Sequence, residues 1–487
     1  MMKKLKIVLS PEWGEFQQME TVNAMLVEEW YEPIEAAPKD VAASSAAVAA
    51  TADAVSTSKT PLFCFPDIAF GGRCPFPEWD ELYLEDAAGP LPYEIRPIPT
   101  LDDNMMFRGI FPERPAEGTI HVRYRIFPRI LPEGYRRSPC FDFRAEPNGL
   151  NGTGLFSLVL PYSEDEKEKM ETALSWDLSR LPEGSRAIFS LSKPSCAEGK
   201  VLGEGEIRGE GDVLGEYTRK DLADTMFAVG RMQAFEKDGL GVYWFLNPPF
   251  DIRGIAEKIL PIFRYEKNYF EDPSAGFRVL LRRDPFTPSG AGSACPYAFI
   301  STYSALDTPE DFAGNEEKWI DVFIHEMTHT WPAMEDQTTG DGTWFCEGAT
   351  EYYCTMIPYW GGFASAEETS RKIRRKIVED YLENPYREMP NSEIPKIQWQ
   401  DLRAQHVPYG RGMLYIARTE AKLREKGKGS ILEIVKKHSI TDPMTRQEWK
   451  DFIFEKLGQE GLDDFHDMEE GRIPSFEPDL FGPEIRI

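Results

Sequence analysis

Trp319, Phe323, Met327 and Trp331 recur at every fourth position of EEKWIDVFIHEMTHTW, and that spacing predicts a helix with one buried stripe. Glu316 and Glu317 put negative charge on its first turn, where the helix dipole favours it, and Pro332 ends it one residue past the stripe. A helix anchored in this way carries His325 and His329 on one side, one turn apart, with Glu326 close by. Two imidazoles stacked like this can reach one metal ion from a rigid base, and Glu326 can accept a proton from a water that the ion activates. The same spelling also occurs in ordinary helices, so a third ligand decides the matter. Catalytic zinc usually takes three protein ligands and keeps one position for water.

GTWFCEGATEYYC, residues 342–354, supplies that candidate. With Thr343 as its cap, a helix running to about Tyr359 sets Glu347 and Glu351 on one face, one turn apart. Glu347 can be the carboxylate ligand, and Glu351 can orient a histidine through its second ring nitrogen. Trp344, Phe345, Tyr352 and Tyr353 make this a largely buried helix, which weighs against a merely solvated Glu347. Cys346 is a rival ligand, about a quarter-turn away.

The rest of the chain divides by pattern. Short apolar runs broken by Pro and Gly, such as TIHVRYRIF, GLFSLVLPY and SRAIFSL, predict an antiparallel β-domain over 1–215. Residues 35–60 are Ala/Ser-rich with no aromatic residue, and are expected to form a mobile surface insertion. A mixed α/β domain is expected over 216–400, with a helix at 252–269 and strands at 277–286 and 292–303. A helical domain is expected over 401–487. The expected class is thus multidomain α+β.

The net charge is −27, from 82 acidic against 55 basic residues, so nucleic acid and anionic membranes are poor partners. No apolar stretch approaches the ~20 residues that span a membrane, and the early apolar run is too short for a signal-peptide core. The 7 cysteines are scattered, with no Cys-x-x-Cys pair. A cytoplasmic setting is expected.

HEMTHTW followed by WFCEGATEYY resembles the gluzincins, metallopeptidases with two histidines and a downstream glutamate on zinc. The likeness is nearer to the glycyl aminopeptidase family and more distant to the group of aminopeptidase N and leukotriene hydrolase. PYGRGMLYIARTEAKL, residues 408–423, looks like the segment of these enzymes whose tyrosine donates to the tetrahedral intermediate. The resemblance makes that residue Tyr409 and the basic position Arg411. SGAGSACPYAFIS, residues 289–301, resembles the strand that flanks their substrate, with Gly292, Ser293, Ala294 and Tyr297 as contacts. The resemblance implies a thermolysin-like catalytic domain, one zinc ion per chain on His325, His329 and Glu347, and Glu326 as the base.

The expected function is zinc-dependent hydrolysis of peptide bonds, with aminopeptidase activity as one form of it. One departure bears on this. Aminopeptidases of this class carry a glutamate just after the glycines of the edge strand, to hold the substrate's free amine, and GAGSACPYAF has none. A small-molecule, non-peptide substrate on the same zinc scaffold is therefore the alternative. A non-catalytic zinc-binding protein stands behind both.

Overall fold

Lys4–Phe16 and Met19–Glu32 are two long antiparallel strands. Leu5, Ile7 and Leu9 alternate into the core, the period of a half-buried strand. Gln17 and Gln18 join them with φ of 48° and 65°. That two-residue, positive-φ turn suits the strand twist, yet it lacks the Asn-Gly spelling that would announce it.

The structure is a computed structural model that describes residues 2–33, 59–69, 72–74, 76, 82–99, 105–130, 143–191, 212–273, 276–284, 291–304, 308, 310, 316–335, 342–398, 400–472, 477 and 480–486. The predicted insertion at 35–60 lies outside the described residues except for its last two positions. The two long strands belong to a seven-stranded sheet, whose order is Val213–Thr218, Lys169–Trp176, Lys4–Phe16, Met19–Glu32, Ile120–Ile126, Tyr83–Asp86, Gly89–Pro90. The expected boundary between residues 215 and 216 falls inside the first of these. The sheet is not purely antiparallel, because Lys4–Phe16 pairs in parallel with Lys169–Trp176. Phe63, Phe65, Tyr124, Phe143, Phe156, Phe189 and Phe227 fill the core beneath.

A five-stranded sheet follows, in the order Gln233–Lys237, Leu240–Trp244, Phe277–Asp284, Ala298–Ser304, Ala291–Cys295. The single strand expected at 292–303 is in fact a hairpin of the last two strands, turning where Tyr297 adopts a φ of 59°. Ala291–Cys295 is the outer strand.

Contacts divide the chain into two compact units that are not collinear with it. The first comprises Met1–Glu236, Gly241–Pro249 and Arg278–Thr308; the second comprises Lys237–Leu240, Phe250–Phe277 and Pro309–Ile487. The architecture is multidomain α+β with a helical C-terminal region, as expected. Among the described residues no helix is long and apolar enough to cross a membrane. The described cysteines 64, 74, 295, 346 and 354 are free thiols.

The helices of the second unit include α1 (Ile252–Tyr269), α2 (Glu316–Thr328), α3 (Thr343–Trp360) and α4 (Val407–Glu425). The stripe Trp319, Phe323, Met327 and Trp331 is buried as its period predicts. Gly342 rather than Thr343 stands at the cap position of α3.

α3 and α4 meet at two glycines. A Cβ on Gly348 would strike the Gly412 backbone, and one on Gly412 would strike the Trp344 carbonyl. On another side of α4, a Cβ at Gly410 would come within 2.8 Å of the Lys376 carbonyl, on the π-helical segment Arg374–Leu382. The alternating glycines of PYGRG therefore let α4 press against both neighbours at once. Gly412→Ala should lower the stability of this unit by about 1–3 kcal/mol in denaturant unfolding, because backbone must shift to admit one methyl. An unchanged midpoint would show that the helices can part without cost.

Beneath α2, Thr328 donates its single hydroxyl proton either to the Ile324 carbonyl at 2.8 Å or to Glu266 Oε1 at 2.7 Å. Glu266 is fully buried and Thr328 is its side-chain hydrogen-bond partner, so burial pushes its pKa to about 8 from an ordinary 4.5. The folded protein thus holds this proton more tightly than the unfolded chain. Its contribution is whole below the ordinary carboxyl range and is lost as pH rises through about 8. Glu266→Gln should leave stability near the wild type at pH 4 and exceed it at pH 9, by on the order of a few kcal/mol, in unfolding midpoints across pH. Parallel profiles would mean that Glu266 does not titrate in the fold.

Candidate metal centre

α2 carries His325 in its last turn. The helix proper ends at Thr328, but the His329 N–H still donates to the His325 carbonyl at 3.3 Å, so the helical turn carries both rings. α3 supplies the facing stripe Glu347, Thr350, Glu351 and Cys354, at helical spacings of three and four.

Three atoms converge. His325 Nε2 and His329 Nε2 are 3.0 Å apart, and Glu347 Oε2 lies 3.3 and 3.4 Å from them. Ligand atoms at zinc's usual distances stand about 3.4 Å apart at a tetrahedral angle, so this triangle has the dimensions of one face of a zinc site. Glu347 Oε2 is also a buried oxygen that makes no hydrogen bond of good geometry. A buried carboxylate oxygen in that state calls for a cation.

The field agrees with the geometry. Burial works against charge on Glu347, but the imidazoles of His329 and His325 outweigh it and hold its carboxyl below the usual range. Burial likewise opposes charge on His325, yet Cys354 and Glu347 hold its pKa up at about 10. Glu347 therefore keeps negative charge at the point where the three atoms meet, the charge a metal cation needs. The donor set of two imidazoles and a carboxylate suits zinc and leaves a position open.

The outer contacts fix the rings. His325 Nδ1 lies 3.3 Å from Glu351 Oε1, within reach of a carboxylate that could orient the ring. Thr350 Oγ1 lies 3.2 Å from His329 Nδ1 and does the same for the second imidazole. Sequence reasoning passed over Thr350, although its helical register with Glu347 was readable. Lys376, from the π-helical segment, contacts Glu351 Oε2.

Glu326 is partly buried, and burial raises its pKa, with Glu347 adding to the effect and both histidines opposing it. A base raised in this direction is closer to working at neutral pH. Tyr409 sits in the first turn of α4 with its ring 5.9 Å from that of His325 and nearly parallel to it. Burial, Glu347 and Glu326 all push its pKa well up, so it keeps its proton and can donate.

Arg411, expected to touch substrate, does not present itself to one. It is 0 % exposed, and its guanidinium donates to Asn391 Oδ1 at 2.6 Å and to the Arg387 and Met389 carbonyls at 2.7 and 2.8 Å. It pins the chain after the π-helical segment instead. Gly292, Ser293, Ala294 and Tyr297 belong to the first unit, at its outer strand and hairpin turn, and Gly292 is exposed. Cys346 is turned away to Met334, whose N–H it accepts at 3.1 Å, so it is no rival to Glu347.

No protein-family model and no curated protein matches the sequence. Solved structures do match. An aminopeptidase N family protein from Idiomarina loihiensis aligns with a TM-score of 0.64 at 13 % identity, over 98 % of this chain and 77 % of that one. An M1 zinc metallopeptidase from Deinococcus radiodurans, bound to a Tyr-Ser-Ala substrate, aligns with a TM-score of 0.53 at 15 % identity, over 98 % and 96 %. Leukotriene A4 hydrolase from Saccharomyces cerevisiae aligns with a TM-score of 0.54 at 13 % identity, over 98 % and 68 %.

Purified protein should carry about one zinc per chain by metal analysis, and the His325→Ala/His329→Ala double variant should carry none. Stoichiometric metal in that variant would refute the ligand set. The chain shares its fold with the M1 zinc metallopeptidases.

Proposed function

We propose that this protein is a zinc-dependent peptidase whose metal is held by His325, His329 and Glu347. The observation that carries this reading is the triangle of two imidazole nitrogens and an unbonded carboxylate oxygen, with edges of 3.0, 3.3 and 3.4 Å. Bound there, zinc would lower the pKa of a water and polarise the scissile carbonyl. Glu326 takes the proton of the attacking water and delivers it to the leaving amine. Tyr409 donates its hydroxyl proton as a hydrogen bond to the oxyanion that develops in the transition state. Glu351 and Thr350 keep the two imidazoles in the orientation that frees both Nε2 atoms.

The Deinococcus relative's Tyr-Ser-Ala substrate supports a peptide here. Whether the enzyme trims N-termini is a separate matter. The stretch GAGSACPYAF lacks the glutamate that holds a free amine in the aminopeptidases the sequence resembles. The same absence, with the likeness to leukotriene A4 hydrolase, supports the second reading, a small-molecule substrate on the same centre.

Glu326→Gln should keep its zinc and lose about 10²–10⁴ in kcat, and Tyr409→Phe should lose about 10²–10³, on any peptide the wild type cleaves. Peptides with free and acetylated N-termini separate amino-terminal from internal cleavage. Turnover by Glu326→Gln near the wild-type rate would remove that residue from the chemistry. Inertness of the zinc-loaded wild type toward every peptide would move the reading to the small-molecule alternative.

A further inference from the structure

His325 has two faces, and each meets a donor set. Its Nε2 joins His329 and Glu347. Its Nδ1 joins Glu351 Oε1 at 3.3 Å and Cys354 Sγ at 4.0 Å, with Cys354 Sγ 3.7 Å from Glu351 Oε2. These are also zinc-binding dimensions once a few tenths of an ångström are taken up. Imidazole, carboxylate and thiolate form at least as good a zinc donor set as two imidazoles and a carboxylate, since thiolates favour this ion. Nothing in the donor chemistry alone directs zinc to the Nε2 face.

A third element breaks the tie. The Lys376 Nζ contacts Glu351 Oε2 and lies 3.7 Å from Cys354 Sγ. Its side chain is only 14 % exposed. It comes from the π-helical segment Arg374–Leu382, whose approach to α4 depends on Gly410. We propose that Lys376 is a positioning residue that selects the face of His325 open to metal: its ammonium stands at the His325–Glu351–Cys354 set as a built-in cation. The repulsion between that ammonium and a divalent ion disfavours binding on the Nδ1 side. Neutralised by Lys376, Glu351 acts only as the acceptor of the Nδ1–H, and Nε2 is left as the ligand atom. The same ammonium donates to Cys354 Sγ at 3.7 Å, so the thiol is engaged on the Nδ1 side as well.

This inference rests on the zinc reading above, and cobalt(II) separates the two. Chelated protein is reloaded with cobalt, and the near-ultraviolet thiolate-to-cobalt charge-transfer band is taken as the difference between each protein and its Cys354→Ser counterpart. Wild type should show the visible spectrum of a tetrahedral ion and no Cys354-dependent band. Lys376→Met should gain that band, by a second cobalt or by a shift of the first. Lys376→Gln, which keeps a polar head without the charge, reads the same effect if the methionine variant does not fold. A Cys354-dependent band in wild type, or its absence from a folded Lys376 variant that binds cobalt, would overturn the assignment. Failure of wild type to bind cobalt at all would instead remove the His325, His329 and Glu347 centre.

Discussion

A carboxylate oxygen held 3.3 and 3.4 Å from two imidazole nitrogens, inside the protein and without a hydrogen bond, is the arrangement to which the rest of the second unit answers. Left without a cation, such a partly buried carboxylate oxygen is costly, because its desolvation is not offset by a partner. The surroundings raise the demand for positive charge at that point. Glu347 is held ionised, Glu326 lies close, and the His325 pKa is held up. The two Nε2 atoms stand 3.0 Å apart, and both face Glu347 Oε2.

Holding them there is a matter of helix packing. The buried stripe of α2 sets the two histidines, α3 faces them with Glu347, and Gly348 lets α4 lie against the α3 backbone. The same crossing carries Tyr409, at the start of α4, to the ring of His325. Arg411 works from the buried side of α4, tying the helix to the chain near Arg387 and Met389. One short stretch, PYGRG, thus supplies a ring beside His325, two close backbone contacts and an internal strut.

The parts of this that were legible in the sequence share one property: they depend on local period. The four-residue stripe announced α2, and the spacing of Glu347 and Glu351 announced the working face of α3. Thr350 and Cys354 lay in the same register but carried no separate signal. Lys376 could not be read at all, since its contact with Glu351 spans separate elements and depends on a π-helical turn that no residue type advertises. Arg411 was misread because a basic residue beside Tyr409, which the resemblance makes the oxyanion donor, looks like a binding group until its burial is known. In the first unit, the strands were visible by alternation. The Gln17–Gln18 turn and the hairpin at Tyr297 were not, because both place ordinary residues at positive φ.

X-ray absorption at the zinc edge of the purified protein tests the central claim most directly, because it reads ligand identity by distance. The account predicts a first shell of nitrogen and oxygen alone at about 2.0–2.2 Å, with the outer scattering of two imidazoles. A sulfur contribution at about 2.3 Å, or the scattering of a single imidazole, would contradict it.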